Sequence, residues 1–119
     1  MSEFLDKIYT LINHHLNYTK RLRLSMETGE AFQHKSEREC EFGRLFYEQV
    51  YPCANQLPVP VGSLILEIEE LHRKFHHTAC CVHDETKIKE MYHLTDLLIS
   101  RLVKLEKLGK DYTIDCSSD

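Results

Sequence analysis

Four residues have the types and spacing to do chemistry together: His15, Cys40, His72 and His76. In order they read His15-x-x-Tyr18, twenty-one residues, Cys40-x-Phe42-Gly43-x-Leu45, twenty-six residues, then His72-x-x-x-His76. Three imidazoles and one thiolate make a borderline-soft donor set, which suits one zinc ion held tetrahedrally with all four positions filled by protein. A closed set of that kind stabilises or senses and leaves no position for a substrate.

These residues have to be carried by helices. Positions Leu5, Ile8, Ile12, His15, Thr19, Leu22 and Met26 repeat in a three-four alternation, which predicts a core-facing helix over about residues 2–26, closed by Gly29. His14 is turned roughly 100° from His15 and points elsewhere. A second helix is expected from the capping-box pattern Ser36-x-x-Glu39 to about Tyr51, before Pro52. Cys40 then lies about one turn inside, where helix amides are expected to lower its thiol pKa. Gly43 in that helix implies a close neighbour.

Pro52, Pro58 and Pro60 mark an irregular connection. A third helix is predicted from about Ser63 to Cys80, burying Leu64, Ile65, Ile68, Leu71, His72, Phe75, His76 and Ala79. The two histidines, four apart, share a face. A fourth starts at the N-cap Asp84 with the seam Ile88, Met91, Thr95, Leu98, Leu102 and Leu105, and stops near Gly109. The chain thus reads as an all-α four-helix bundle over residues 1–110 with a polar tail over 111–119. The depth of His15 in the first helix and of Cys40 near the start of the second require residues 27–35 to double back along the bundle.

At the four candidate ligands and their flanking Tyr18, Phe42, Gly43 and Leu45 the chain resembles the chemoreceptor zinc-binding domain family. That resemblance implies a four-helix bundle with a three-histidine, one-cysteine zinc site, acting in chemotaxis or cyclic-di-GMP control. It implies inhibition of output by zinc in cyclase-linked relatives and reaction of the zinc-bound cysteine with hypochlorous acid in chemoreceptors. It also implies a homodimer, for which Phe4, Leu11, Tyr92 and Ile99 are candidate contact residues. With no receptor or cyclase portion in 119 residues, a signalling partner is expected in trans.

Composition narrows the alternatives. Nineteen acids against fifteen bases give a formal charge of −4, which offers nucleic acid or an anionic membrane no attraction. No apolar run approaches eighteen residues and the N-terminus lacks a leader pattern, so a cytoplasmic chain is expected. Five cysteines without framework spacing fit a reducing compartment. The remaining histidines, His14, His34, His77 and His93, are expected at the surface or beside the site. Cys80-x-x-His83 lacks further ligands, while Cys53 and Cys81 are expected to be inert and Cys116 exposed.

Enzymatic readings fare worse. A zinc protease needs Glu directly after the first histidine as general base, and that position is Arg73. A hemerythrin-like di-iron bundle needs bridging carboxylates, yet His34 is followed four on by Arg38 and His93 five on by Leu98. A small adaptor that zinc merely staples is the other non-enzymatic reading.

Overall fold

The computed structural model describes residues 2–80 and 84–112, and among these there is helix and no strand. The helices are α1 (Ser2–Asp6), α2 (Ile8–Thr28), α3 (Glu41–Leu45), α4 (Val59–Ala79) and α5 (Glu85–Tyr112). A wide π turn over Phe46–Val50 and a 3-10 turn over Tyr51–Cys53 prolong α3. The molecule measures 46 × 24 × 20 Å, and its long dimension is about that of a 28-residue helix at 1.5 Å per residue. With α1 and α2 as one arm and α3 with its two turns as another, the arrangement is the expected four-helix bundle.

The first arm is interrupted at Lys7, whose φ of −99° and ψ of 4° leave the helical region. Its buried arc also differs from the predicted stripe. Phe4, Ile8, Leu11, His15, Tyr18 and Leu22 are all buried, whereas Leu5 is half-buried and Met26 is exposed. Two heptad phases share Ile8, His15 and Leu22, and a bundle helix buries an arc wide enough to take residues from both. Phe4 and Leu11 therefore belong to the core and cannot form a dimer face. Tyr92 and Ile99 are half-buried against the same core.

Gly29 closes α2 as expected, at φ 76°, with its amide on the Ser25 carbonyl at 2.8 Å. The following segment returns along α2. The Lys35 amide donates to the Tyr18 hydroxyl at 3.2 Å, and Phe32 packs edge-on against the Tyr18 ring at 5.0 Å. The doubling back required by the ligand positions is therefore present.

The capping box does not start a helix. Ser36 N donates to Glu39 Oε1 at 2.9 Å and Glu39 N to the Ser36 carbonyl at 3.1 Å, and together these close a turn. The helix begins later, at Glu41, with extended Cys40 as its N-cap and the Cys40 sulfur accepting from Gly43 N at 3.3 Å. The reason lies in the connector just before it. A Cβ on Gly43 would stand 1.7 Å from the Glu37 carbonyl oxygen, so the returning connector runs directly over the helix at this position.

The third arm starts four residues before the predicted Ser63, because Pro60 occupies the first turn, where its missing N–H is no loss. Gly62 lets α4 approach the preceding arm, since a Cβ there would lie 2.3 Å from the Ala54 carbonyl oxygen. Asp84 caps α5 through a 3.2 Å bond from Lys87 N. Gly109 lies within α5 instead of ending it, and the helix reaches Tyr112. Of the tail predicted over 111–119, Asp111 and Tyr112 are instead the end of α5, and residues 113–119 lie outside the described residues.

The core has two apolar parts. One centres on Phe4, Phe42, Phe46, Ile65, Ile68 and Leu102, the other on Tyr18, Phe75, Ala79, Ile88 and Met91. Cys53 is buried and disulfide-bonded, against its reading as an inert thiol. No helix of the described residues is long and apolar enough to cross a membrane.

Candidate metal centre

Between the two apolar parts sit His15 from α2, Cys40 from the cap of α3, and His72 with His76 from α4. One potential ligand atom from each lies within 4.8 Å of all the others. The three imidazoles are 4%, 0% and 5% exposed in chain order, so water does not solvate them. All four residues singled out from the sequence are thus brought together.

Two of the rings are fixed by backbone carbonyls. His15 Nδ1 lies 3.0 Å from the Leu11 carbonyl oxygen, and His76 Nδ1 lies 2.7 Å from that of Lys35. A carbonyl can only accept, so each Nδ1 carries the proton and each Nε2 presents a lone pair. Those two Nε2 atoms are buried with no hydrogen-bond partner. The His72 ring leans on Phe42, centroids 4.4 Å apart, and its Nε2 is 3.3 Å from the Cys40 sulfur. Its Nδ1 is buried without a partner as well.

Unpartnered nitrogens in a dry core cost about 1–3 kcal/mol each. A cation held by the Nε2 atoms of His15 and His76 removes their share of that cost, and the donor set fits zinc. When bound, zinc supplies a Lewis-acidic centre that holds Cys40 as thiolate. No carboxylate belongs to the group among the described residues, which leaves a di-iron centre without its bridges. Glu41, the nearest candidate in sequence, is instead engaged with Lys7 and His14 at 3.5 Å each.

The electrostatics suit metal binding by neutral rings. Burial pushes the His15 pKa down to about 4, the Leu11 carbonyl opposing this in part and His76 adding to it. Burial likewise drives His72 well below the ordinary value and lowers His76. For Cys40 the outcome differs from the sequence expectation. Desolvation raises the thiol pKa and outweighs the amides of Gly43, Cys40 and Phe42, which act the other way. Burial, not the helix terminus, sets the state of this thiol until a cation is present.

The other candidates stay apart. His14, His34, His77 and His93 are exposed. Cys80 is exposed with its sulfur 3.0 Å from the His77 carbonyl oxygen; Cys81, His83 and Cys116 lie outside the described residues. Sequence reasoning missed the residues that orient the ligands. Leu11 was open to inference as the residue four before His15, but nothing in its type marks Lys35, whose role is played by its backbone.

Comparison with known families agrees with this geometry. The chemoreceptor zinc-binding domain matches residues 15–80, a span that begins at the first ligand and includes all four. The chain belongs to the chemoreceptor zinc-binding domain family. Neither a curated protein nor a solved structure matches it.

Proposed function

We propose that this chain is a non-enzymatic regulatory domain of the cytoplasm that binds one zinc ion through His15, Cys40, His72 and His76 and passes the state of that site to a signalling protein. The observation that carries the reading is the convergence of partnerless imidazole nitrogens and one thiol at the junction of three arms of the bundle. Losing the ion leaves those groups in the core unsatisfied, so occupancy is coupled to the packing of α2 against α4. Membership in the family supports chemotaxis or cyclic-di-GMP control as the output, a homodimer as the working form and an effector acting in trans.

Oxidation is the second input to the same element. The Cys40 thiolate attacks hypochlorous acid, loses an electron pair to the oxidant and becomes a sulfenic acid as chloride departs. Sulfenic acid is a poorer ligand, so the oxidised site resembles the zinc-free one.

Metal content of the purified chain tests the reading, together with cobalt substitution. One equivalent of metal and a thiolate-to-cobalt charge-transfer band are expected, and Cys40→Ala should abolish the band, weaken zinc binding and blunt the response to oxidant. Unchanged zinc content in Cys40→Ala would remove the cysteine from the ligand set.

A further inference from the structure

A cleft opens beside the centre. It has a volume of about 280 Å³ and is lined by His15, Cys40 and His76, with Tyr18, Arg21 and Lys35 at its margin. His72, fully buried, is not among its walls. The cleft therefore opens beside half-buried Cys40, while the Nε2 atoms of His15 and His76 stay buried in its wall and His72 lies behind them.

The charges at this opening are uneven. Arg21 and Lys35 are exposed, and neither forms an ion pair among the described residues. Glu41 also lines the cleft, but Lys7 and His14 stand 3.5 Å from its two carboxylate oxygens. Glu37 and Glu39 lie on the adjoining connector and do not line the cleft; Glu39 stays charged while it accepts from the Ser36 amide, and both carboxylates act electrostatically on His76. Arg21 and Lys35 are thus the cations that line the route to the metal, beside the ion-paired Glu41, in a chain whose formal charge is −4. Three neutral imidazoles and one thiolate leave a bound zinc centre at net +1, which adds to the same sign.

We propose that this cleft is the port through which zinc is exchanged, and that it exchanges zinc with small polydentate anions, carboxylate or thiolate ligands, in preference to neutral ligands or the free hydrated cation. The inference rests on the zinc reading above and adds the chemical class of the exchange partner. A hydrated dication is repelled by Arg21 and Lys35, whereas an anionic chelate is drawn to them and can place a donor atom beside Cys40. Charge focusing of this kind acts on association rates and fades with salt.

The test uses the full zinc-loaded chain and two chelators, anionic EDTA and the neutral pyridyl chelator TPEN, with release followed by stopped flow at low and high ionic strength. Release to EDTA should slow steeply as salt rises, while release to TPEN stays nearly flat. The double variant Arg21→Gln, Lys35→Gln should slow EDTA at low salt by about tenfold, flatten its salt dependence and leave the TPEN rate within about twofold. Lys104→Gln on α5, outside the cleft, provides a charge control for which neither rate should change. Equal salt dependence for the two chelators in the unaltered chain, or equal slowing of both in the double variant, overturns the proposed port. A chain that takes up no zinc overturns the functional reading and the port with it, and the initial metal measurement separates that case from the others.

Discussion

His76 and Lys35, forty-one positions apart, are joined by a 2.7 Å contact between the imidazole Nδ1 and the backbone carbonyl oxygen. The adjoining Lys35 amide is held by the Tyr18 hydroxyl. One peptide segment of the connector therefore ties a candidate ligand on α4 to the middle of α2, and the same connector ends at Cys40. The state of the site and the order of the connector are mechanically one property.

Zinc loading should consequently slow amide hydrogen exchange in residues 32–40 more than in the centre of α5. Mass-resolved exchange of the metal-free and loaded chain reads this directly. Equal protection of the connector in both forms would show that it does not follow the metal.

Tyr18→Phe removes the hydroxyl that receives the Lys35 amide but keeps the ring edge-on against Phe32. A loss of about 1 kcal/mol of stability is expected, the ordinary value of one such hydrogen bond. Zinc should bind about 10-fold more weakly, the low end for groups that orient ligands. Thermal unfolding and competition titration measure the two effects separately.

Gly43→Ala brings a methyl group into the Glu37 carbonyl, with only 1.7 Å available. The connector or α3 has to shift, at a cost of about 1–3 kcal/mol. A lowered midpoint of denaturation is expected in the metal-free chain, along with weaker zinc binding because Cys40 caps the same helix turn. Gly29→Ala meets nothing within 4 Å but occupies φ 76°, so it should cost about 1 kcal/mol through backbone strain alone.

The metal-free chain should lose stability as the pH falls. His15, His72 and His76 have folded pKa values pushed below 6.5, so in the window beneath that value the unfolded chain takes up protons that the folded chain refuses. Stability then rises with pH and reaches its plateau above about pH 6.5. For His15 the loss levels off near its folded value of about 4 and amounts to about 3 kcal/mol. Urea denaturation at stepped pH checks the sign, and a flat profile between pH 7 and pH 5 would contradict the buried, neutral histidines.

Removing the ion should have the largest effect of all. Chelation is expected to lower the unfolding temperature and loosen α2, which holds a single ligand. Restoring zinc should reverse both changes, a result that calorimetry with and without chelator would show.

Much of this was legible along the chain because it depends on local periodicity. The spacing of His72 and His76 puts both on one face of any helix, and His15 falls in each of the two possible apolar stripes of α2. The candidate ligand set and the four arms could therefore be read before folding was considered. The break at Lys7, the displaced start of α3 and the continuation of α5 through Gly109 could not. A capping box or a glycine expresses a local preference of about 1 kcal/mol, and packing over long distances decides whether it is used.

The sequence by itself determined which four residues can share a cation, because residue type and helical spacing are properties of short stretches of chain. The tertiary structure alone decided how those residues are held and reached. Only when the connector folds back over Gly43 does the Lys35 carbonyl meet His76, burial overcome the helix amides at Cys40, and a cleft lined by Arg21 and Lys35 open beside Cys40 while His72 is sealed. Each of these depends on groups far apart in sequence and close in space, where desolvation and contact, not propensity, set the energies.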